Sequence, residues 1–407
     1  MKFKQSSEFP LYILMVNMFI AMTGIGVIIP IMPTVIQEFG VGGKAFGLLI
    51  ATFAFAQFLF SPLAGDLSDR LGRKKTIVFG LVLFSFSQLL FGLTNQLWLL
   101  YVSRVLGGMG GAFMIPSMMA YVADITTMEN RAKGMGRLGA SMSLGFVIGP
   151  GIGGFLSEFG LRAPFFIAAA VAALSAVVSV AFLPETRQAA HFSADAKKRD
   201  SLWKQLILSV KTPYFALLIM MFTLSFGLAN FQSTISLFAD IKFGFEPMDI
   251  SVLMVTAGMI GVIVQAFVLD RTLRRFGEIP VMNVSLVAAG FAMLSLLLAQ
   301  GFWSVMVISS VFFIAASLLR PAINTMVSKM AGDEQGFAAG MNNAYMSIGN
   351  VIGPALAGTL FDINMGLPYV FGALIIAACL LISLKWAKTR KAAGGSQSRI
   401  GYSERVR

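Results

Sequence analysis

The chain has 407 residues, of which 57% are hydrophobic and only 12% charged, so its composition excludes an ordinary soluble domain. The single cysteine, Cys379, excludes an intramolecular disulfide or a cysteine-based metal site, and the single histidine, His191, excludes a histidine relay for protons. The formal net charge of +12 is spread over loops, so it is poor evidence for a nucleic-acid partner. The sequence contains no nucleophile–base set and no metal-ligand cluster, which argues against an enzyme and against a bound metal or cofactor.

Apolar stretches of about 18 to 26 residues, each long enough to cross a bilayer, recur along the chain. They predict an all-α membrane protein with twelve transmembrane helices. The predicted spans are residues 10–36, 45–65, 76–94, 97–122, 135–157, 163–183, 213–238, 250–269, 279–299, 302–326, 336–360 and 367–386. Because no small-residue cleavage site precedes the first span, we expect that span to be retained rather than removed as a signal peptide.

Basic residues are distributed unevenly between the two sets of loops. The loops opposite the termini contain only Lys44, Arg162 and Lys242, whereas the termini and the loops on their side contain nearly all the others. Since positively charged loops stay in the cytoplasm, we predict cytoplasmic termini in a multi-pass protein of the plasma membrane.

The loop between spans 2 and 3 has the sequence GDLSDRLGRKK, from Gly65 to Lys75. Gly65 is expected to allow close helix approach and Gly72 a positive φ. An acid in this loop can cap a helix or pair with a base on a neighbouring helix, and such a contact can break during a conformational change. The alternative interpretation is simply a basic cytoplasmic loop. The candidates for gating or proton coupling are Asp66, Asp69, Arg70 and Arg73.

Span 4 contains Arg104, followed by a run of glycines in RVLGGMGG. A charge inside a span is costly unless it faces protein or water, which favours a functional role. The glycines make one helix face thin enough for a neighbouring helix to approach. The alternative is an arginine that extends to the membrane interface, because Arg104 lies near one end of the span. Asp124, at the other end, is a candidate proton carrier, with Glu38 and Asp240 as weaker ones.

Span 5 contains GFVIGPGIGG at Gly145–Gly154, and a related sequence, GNVIGPALAG, recurs at Gly349–Gly358 in span 11, half a chain later. This repeat predicts two pseudo-symmetric halves of six helices each, as in many transporters. The glycines lie on one helix face, and we expect span 5 to pack tightly on span 11 between the halves. A dinucleotide-binding interpretation of GPGIGG fails because no strand precedes it. The residues of this predicted packing motif are Gly145, Gly149, Pro150, Gly153, Gly154, Gly349, Gly353 and Pro354.

The predicted domains follow from the repeat. The two halves cover residues 1–183 and 213–386, and a polar cytoplasmic linker covers residues 184–212. A short surface helix is expected near residues 201–210 of the linker, and a basic cytoplasmic tail covers residues 387–407.

Together these features resemble the major facilitator superfamily. The loop matches G-x-x-x-D-R-x-G-R-K, span 4 resembles R-x-x-x-G-x-G, and span 5 resembles the efflux motif G-x-x-x-G-P-x-x-G-G. Nearly the whole chain is similar to the NorA/Bmr-like multidrug efflux pumps of Gram-positive bacteria. The resemblance implies a monomer without cofactors that exports small amphipathic drugs or metabolites in exchange for protons by alternating access, with Arg104 in proton coupling.

The resemblance also implies a substrate cavity lined by spans 1, 4, 7 and 10. Its polar candidates are Asn17, Asn230, Gln232, Ser317, Arg320, Asn324, Asn342 and Tyr345. An importer of sugars or organic acids with the same fold is disfavoured by the efflux motif of span 5. A membrane receptor or scaffold that transports nothing would have no need for Arg104 and Arg320.

Two positions depart from the family pattern. The efflux pumps place a glutamate in span 7 and an aspartate in span 10, where this chain has Gln232 and Ser317. The hydrocarbon core then contains Arg104 and Arg320 but no carboxylate, so we expect a positive potential there. The resulting hypothesis is a specific exporter of an acidic or zwitterionic metabolite or metallophore. The alternative is a multidrug pump with a shifted drug preference.

Overall fold

The computed structural model describes residues 8–186, 202–332 and 334–403, and every regular element in these ranges is helical. Most of the predicted linker, including His191, lies outside the described residues. The helices are α1 (Phe9–Gly26), α2 (Ile28–Glu38), α3 (Gly43–Leu71), α4 (Arg73–Leu93), α5 (Leu97–Ile125), α6 (Met128–Ser157), α7 (Ala163–Phe182), α8 (Leu202–Ser209), α9 (Phe215–Phe243), α10 (Pro247–Phe267), α11 (Leu269–Phe276), α12 (Glu278–Ser295), α13 (Phe302–Ala331), α14 (Gln335–Ile363) and α15 (Leu367–Ser403). A 3₁₀ turn, Leu296–Leu298, follows α12.

Within the described residues, twelve helical segments are long and apolar enough to cross a membrane, which confirms the predicted number and order of spans. α1 and α2 together form the first of them, and the segment Leu367–Lys388 of α15 forms the last. Several helices extend past the apolar stretch; α6, for example, begins at Met128 rather than near residue 135. The expected linker helix is also present, as α8.

The first span is interrupted at Val27, which the sequence analysis did not predict. Pro30 explains the interruption. A proline inside a helix has no N–H to donate to the carbonyl four residues earlier, here that of Gly26, and its ring crowds that carbonyl.

Two equivalent turns support the sequence repeat. Gly72 joins α3 to α4 with a φ of 107°, which confirms the predicted positive φ, and Gly277 joins α11 to α12 with a φ of 77°. Both values lie in the region that L side chains rarely adopt, so each turn requires glycine.

The helices form two compact units by their contacts. Unit 1 consists of Met1–Lys198, Gln232–Met259 and Asn350–Met365. Unit 2 consists of Arg199–Phe231, Ile260–Gly349 and Gly366–Arg407. Unit 1 therefore includes segments of α9, α10 and α14, so the contact units and the predicted sequence halves are different divisions of the chain.

Each unit has its own packed interior. In unit 1, Leu14, Met18, Met114 and Tyr121 are fully buried. In unit 2, the rings of Phe231 and Phe312 stack with centroids 4.1 Å apart. Because lipid is as apolar as these side chains, close packing and interhelical hydrogen bonds, rather than escape from water, hold such helices together.

Candidate functional site

Arg104 lies inside unit 1 and is only 4% exposed, so it does not extend to the surface of that unit. Its Nη2 donates a hydrogen bond to Oε1 of Gln88 in α4 at 3.3 Å. The Gln88 Nε2 in turn donates to the Gly24 carbonyl oxygen of α1 at 2.8 Å. The guanidinium carbon lies 4.5 Å from the ring centroid of Phe91 and 6.0 Å from that of Phe53. Helices α1, α3 and α4 thus contribute to a single chain of contacts around this cation.

The charge of Arg104 has no carboxylate counter-ion among the residues that the structure describes. Its Nε is enclosed and has no acceptor. Ring faces and one amide oxygen stabilise a cation less than an ion pair does. A buried charge with so few partners in a membrane span is the usual mark of a functional residue.

The glycines after Arg104 have the predicted effect on packing. A methyl group on Gly108 would overlap the Phe53 carbonyl oxygen of α3. On the opposite side, a methyl group on Gly110 would lie 2.8 Å from the Gly80 carbonyl oxygen of α4. Both neighbouring backbones therefore approach α5 more closely than any larger residue would allow.

A second polar group, the Arg73 cluster, consists of Ser68, Asp69, Arg73, Asp124 and Thr186. Arg73 is 8% exposed. It pairs with Asp69 at 2.7 Å and with Asp124 at 3.2 Å, and it donates to the Ser68 hydroxyl at 3.0 Å. The Thr186 hydroxyl donates to the same Asp124 oxygen at 3.2 Å. The cluster connects the end of α3, the start of α4 and the end of α5.

Other residues of the predicted loop motif are not part of this cluster. Asp66 is exposed and has no hydrogen bond or ion pair with any residue in the described part of the chain, so the expected cap or ion pair is absent here. Arg70 is also exposed. The expected role of Gly65 is wrong, because no neighbour lies within 4 Å of the position that its side chain would take. Instead, Gly72 is the crowded glycine, since a side chain there would overlap the Glu185 carboxylate.

The glycine face of α6 packs on α1 rather than on α14, so the predicted partner of span 5 is wrong. Methyl groups on Gly145, Gly149 and Gly153 would overlap the carbonyl oxygens of Phe19, Thr23 and Val27, respectively. The spacing of glycines shows which face of a helix is thin, but it does not show which helix fills that face.

The second copy of the glycine motif, in α14, likewise packs on the first helix of its own half, within unit 2. A side chain on Gly349 of α14 would lie 2.7 Å from the Phe222 carbonyl oxygen of α9. Span 11 thus packs on span 7 as span 5 packs on span 1. Each copy holds together two helices of its own sequence half.

The N-terminus of α3 is capped from a distant part of the chain. α3 has no side-chain cap of its own at Gly42. The Gly43 N–H donates to Asp362 Oδ1 at 2.6 Å, and the Lys44 N–H donates to Asp362 Oδ2 at 2.9 Å. A carboxylate at this position satisfies two free N–H groups and lies at the positive end of the helix dipole.

Close backbone contacts surround this cap in unit 1. Methyl groups on Gly47 and Gly358 would overlap the carbonyl oxygens of Pro354 and Gly43, respectively, so α3 and α14 touch along their backbones. The equivalent pair in the repeat, α6 and α10, is joined by the Ser251 hydroxyl, which donates to the Pro150 carbonyl oxygen at 2.7 Å. The motif residue Pro354 thus takes part in the first contact, and the motif residue Pro150 takes part in the second.

A third contact at the end of the first span joins α2 to α9. The Gln37 Nε2 donates to Asp240 Oδ2 at 2.6 Å. We call these three contacts, at Asp362, Ser251 and Asp240, the distal contacts. The Asp362 cap and the Arg73 cluster lie at opposite ends of α3, which has 29 residues and is therefore about 43 Å long.

We expect Asp362→Ala to lower the free energy of unfolding by about 1–2 kcal/mol, the usual cost of losing a helix cap. The measurement is the thermal unfolding midpoint of the purified protein. Asp270→Ala is the matched control, because the Asp270 side chain is 76% exposed and, among the residues that the structure describes, pairs only with Arg274 one turn away. Equal midpoints for Asp362→Ala and the wild type would show that the cap does not stabilise the fold.

Three of the predicted cavity residues are already engaged by neighbouring helices. The Asn17 Nδ2 donates to the Ser179 hydroxyl at 2.7 Å, and its Oδ1 accepts from the Ser175 hydroxyl at 3.1 Å. Asn230 is fully buried and donates to the Pro368 carbonyl oxygen at 3.1 Å. The Tyr345 hydroxyl lies 3.0 Å from that of Ser209 in α8. These contacts give the three residues bridging roles between helices, and their contact with a substrate stays a prediction.

The other predicted residues make fewer hydrogen bonds with neighbouring helices. Asn342 donates to Asn324 at 2.9 Å, and both line a pocket of about 250 Å³ in unit 2. Gln232, in unit 1, is half-buried and makes no hydrogen bond in the described ranges. Ser317 and Arg320 lie on one face of α13, three residues apart.

Sequence reasoning did not find Gln88 or the Asp362 cap. Gln88 is an amide in an apolar span, a costly placement that could have marked it as a partner for a buried charge. Gly43 and Gly47 lie in the first two turns of α3, and their spacing could have indicated a close helix contact. Nothing in the local sequence connects either glycine to Asp362, because the two segments are about three quarters of the chain apart.

Comparisons with known proteins agree with this architecture. The sequence profile described as Major Facilitator Superfamily matches residues 14–289 and 253–401. The chain is 40% identical over 380 residues to Multidrug resistance protein 2 of Bacillus subtilis (strain 168), which covers 93% of this chain and 95% of that protein. It is 35% identical over 375 residues to Quinolone resistance protein NorA of Staphylococcus aureus (strain MRSA252), which covers 92% of this chain and 95% of that protein.

A solved structure shows the same fold. The crystal structure of a mutant of the nucleoside transporter NupG superposes with a TM-score of 0.76 over 93% of this chain and 99% of that chain. The two sequences are 14% identical, so this likeness concerns the fold alone.

Proposed function

Because the chain belongs to the Major Facilitator Superfamily, we propose that it is a secondary active exporter that moves small amphipathic molecules out of the cell in exchange for protons. The observation that carries this proposal is the 40% identity, over 93% of the chain, to a protein named for multidrug resistance. The protein is a multi-pass protein of the plasma membrane. We further propose that both termini are cytoplasmic and that the monomer is the working unit.

Alternating access requires contacts at one end of the molecule that break when the other end closes. The distal contacts are candidates for such a set, since they connect α3 to α14, α6 to α10 and α2 to α9. With cytoplasmic termini, the distal contacts lie on the outer side and the Arg73 cluster lies on the inner side. Outward release would then require the Asp362 cap to open.

Within this proposal, the two copies of the glycine motif keep spans 1 with 5 and spans 7 with 11 together as rigid pairs. The close backbone contacts at Gly149 and Gly349 support this role. The movement would then occur between such pairs and not within them. The proposed sequence halves, residues 1–183 and 213–386, would be the bodies that move.

Proton coupling is proposed to depend on Arg104. The free energy of the Arg104 cation depends on any other charge that comes close to it, because few groups around it screen its field. A nearby proton carrier and a nearby anionic group would therefore both change this free energy. The energy comes from the proton gradient, so the proposal requires no cofactor.

The test is drug accumulation in a bacterium that lacks its own major efflux pumps. Cells that express the chain are expected to accumulate less norfloxacin and less rhodamine 6G than cells carrying an empty vector. A protonophore should abolish the difference for both compounds. Equal accumulation with and without the chain, at verified expression in the membrane, would contradict the proposed function.

A further inference from the structure

The acids of the described membrane-spanning helices all lie near helix ends. They are Glu38, Asp66, Asp69, Asp124, Glu129, Asp240, Asp249, Glu278 and Asp362. Arg320, by contrast, lies inside the 30-residue helix α13. At 1.5 Å per residue, about 17 Å of helix separates Arg320 from the nearer end of α13.

Arg320 is a partly enclosed cation with unused hydrogen-bond donors. Its Nε is enclosed and has no acceptor. Its two Nη atoms have no hydrogen bond or ion pair within the described ranges, and they are not among the enclosed atoms without a partner, so they remain accessible. A guanidinium carries five donors that match a planar carboxylate, and burying it without an acceptor is costly.

Arg104 differs from Arg320 in this respect. The Arg104 guanidinium is held against Phe91 and bonded to Gln88, and it is almost completely buried. Arg320 has no comparable contact in the part of the chain described. Of the two arginines, Arg320 is therefore the one with a free face for a ligand.

The residue that could neutralise Arg320 on its own helix is a serine. Ser317 lies three residues before Arg320, a spacing at which helical side chains are neighbours. Its hydroxyl donates to the Ile314 carbonyl oxygen of the same helix at 2.8 Å, so it is engaged locally. Gly261 of α10 faces Ser317, with 3.8 Å between Ser317 Cβ and the position of a Gly261 methyl group. Because Gly261 has no side chain, α10 presents only its backbone to Ser317 at this point.

We propose that Arg320 is the binding site for an anionic group of the exported substrate, so that carboxylate-bearing acids and zwitterions are preferred over simple lipophilic cations. The inference rests on the proposed function and names the substrate class of that transporter. A phospholipid phosphate is a poor candidate for the anion, because about 17 Å of helix separates Arg320 from the nearer end of α13.

The test uses two pairs of fluorescent or ultraviolet-absorbing probes that differ only in one carboxylate. They are norfloxacin with its methyl ester, and rhodamine B with its ethyl ester. Equilibrium binding to the purified full-length protein is measured, so that the result does not depend on proton coupling. In the wild type, each acid should bind at least about tenfold more tightly than its ester, as expected for a charge-assisted hydrogen bond.

Two variants of the site and one control locate the effect. Arg320→Gln should bring the affinities for acid and ester to within about twofold of each other, by weakening the acid and not the ester. Ser317→Asp should have the same effect without removing Arg320, because the new carboxylate occupies the guanidinium. Arg274→Gln is the matched control, since the Arg274 side chain is 80% exposed in the same unit, and it should keep the full preference for the acids.

The inference is overturned if neither acid binds more tightly than its ester to the wild type, whether or not the esters bind. It is equally overturned if both site variants keep the preference. Uptake of the same four compounds into inverted membrane vesicles separates the two proposals. Gradient-driven uptake without a preference for acids would leave the exporter in place and remove the Arg320 site. Absence of gradient-driven uptake for all four would count against the exporter itself.

Discussion

Gly149→Val is expected to destabilise the protein by about 3 kcal/mol or more, the upper range for overpacking a tight contact. A side chain at residue 149 would lie 2.8 Å from the Thr23 carbonyl oxygen and 3.0 Å from the Gly26 Cα atom. Both are backbone atoms of α1, so they cannot rotate away as a side-chain tip would. The measurement is the thermal unfolding midpoint of the purified protein, together with its yield as a monodisperse species.

Gly139→Val provides the matched control on the same helix. No neighbour lies within 4 Å of the position that a Gly139 side chain would take. This variant should therefore unfold at nearly the wild-type temperature. The control is matched because both substitutions carry the same small cost of a β-branched residue in a helix. Equal midpoints for the two variants would show that α6 does not pack on α1 as described.

Arg104→Ala is expected to reduce transport by about 100-fold or more while leaving the thermal unfolding midpoint within a few degrees of the wild type. The substitution removes contacts with Phe91 and Gln88, each worth about 1–2 kcal/mol at most, but it also removes a charge whose burial is unfavourable. These effects on stability largely cancel. The loss of transport has no compensating effect, because the proposed coupling depends on the charge of Arg104.

The measurement is gradient-driven uptake of rhodamine 6G and norfloxacin into inverted vesicles, at equal amounts of protein. Arg104→Lys should recover part of the activity, because it keeps the charge and loses the planar donor group. Arg162→Ala is the control, since Arg162 is partly exposed and lies 3.8 Å from Glu38. Transport by Arg104→Ala with wild-type rate and pH dependence would assign Arg104 a structural role and place the proton coupling at another residue.

Features that depend on local chemistry were predictable from the sequence. The spans follow from apolar length, and the positive φ at Gly72 follows from a glycine in the turn between two spans. The burial of Arg104 follows from the cost of a charge in a membrane span.

Features that depend on which helices meet were not predictable. The glycine face at Gly149 was assigned to the wrong partner because the spacing of glycines does not show which helix packs on them. The Asp362 cap joins segments that are far apart in the chain. The local sequence around an acid near a helix end is the same whether that acid caps another helix or has no partner. Asn17 was a candidate for substrate contact because an amide is costly in a span, but two serines of α7 already satisfy it.

The central claim is that the chain exchanges substrate for protons, and a direct measurement is proton movement caused by substrate. Purified protein is reconstituted into vesicles with an acidic, buffered interior that contains a pH-sensitive dye. Exchange predicts that adding rhodamine 6G or norfloxacin outside raises the internal pH as the compound enters, and that Arg104→Ala abolishes this change. Entry of substrate without any proton movement, or movement of both in the same direction, would contradict the account.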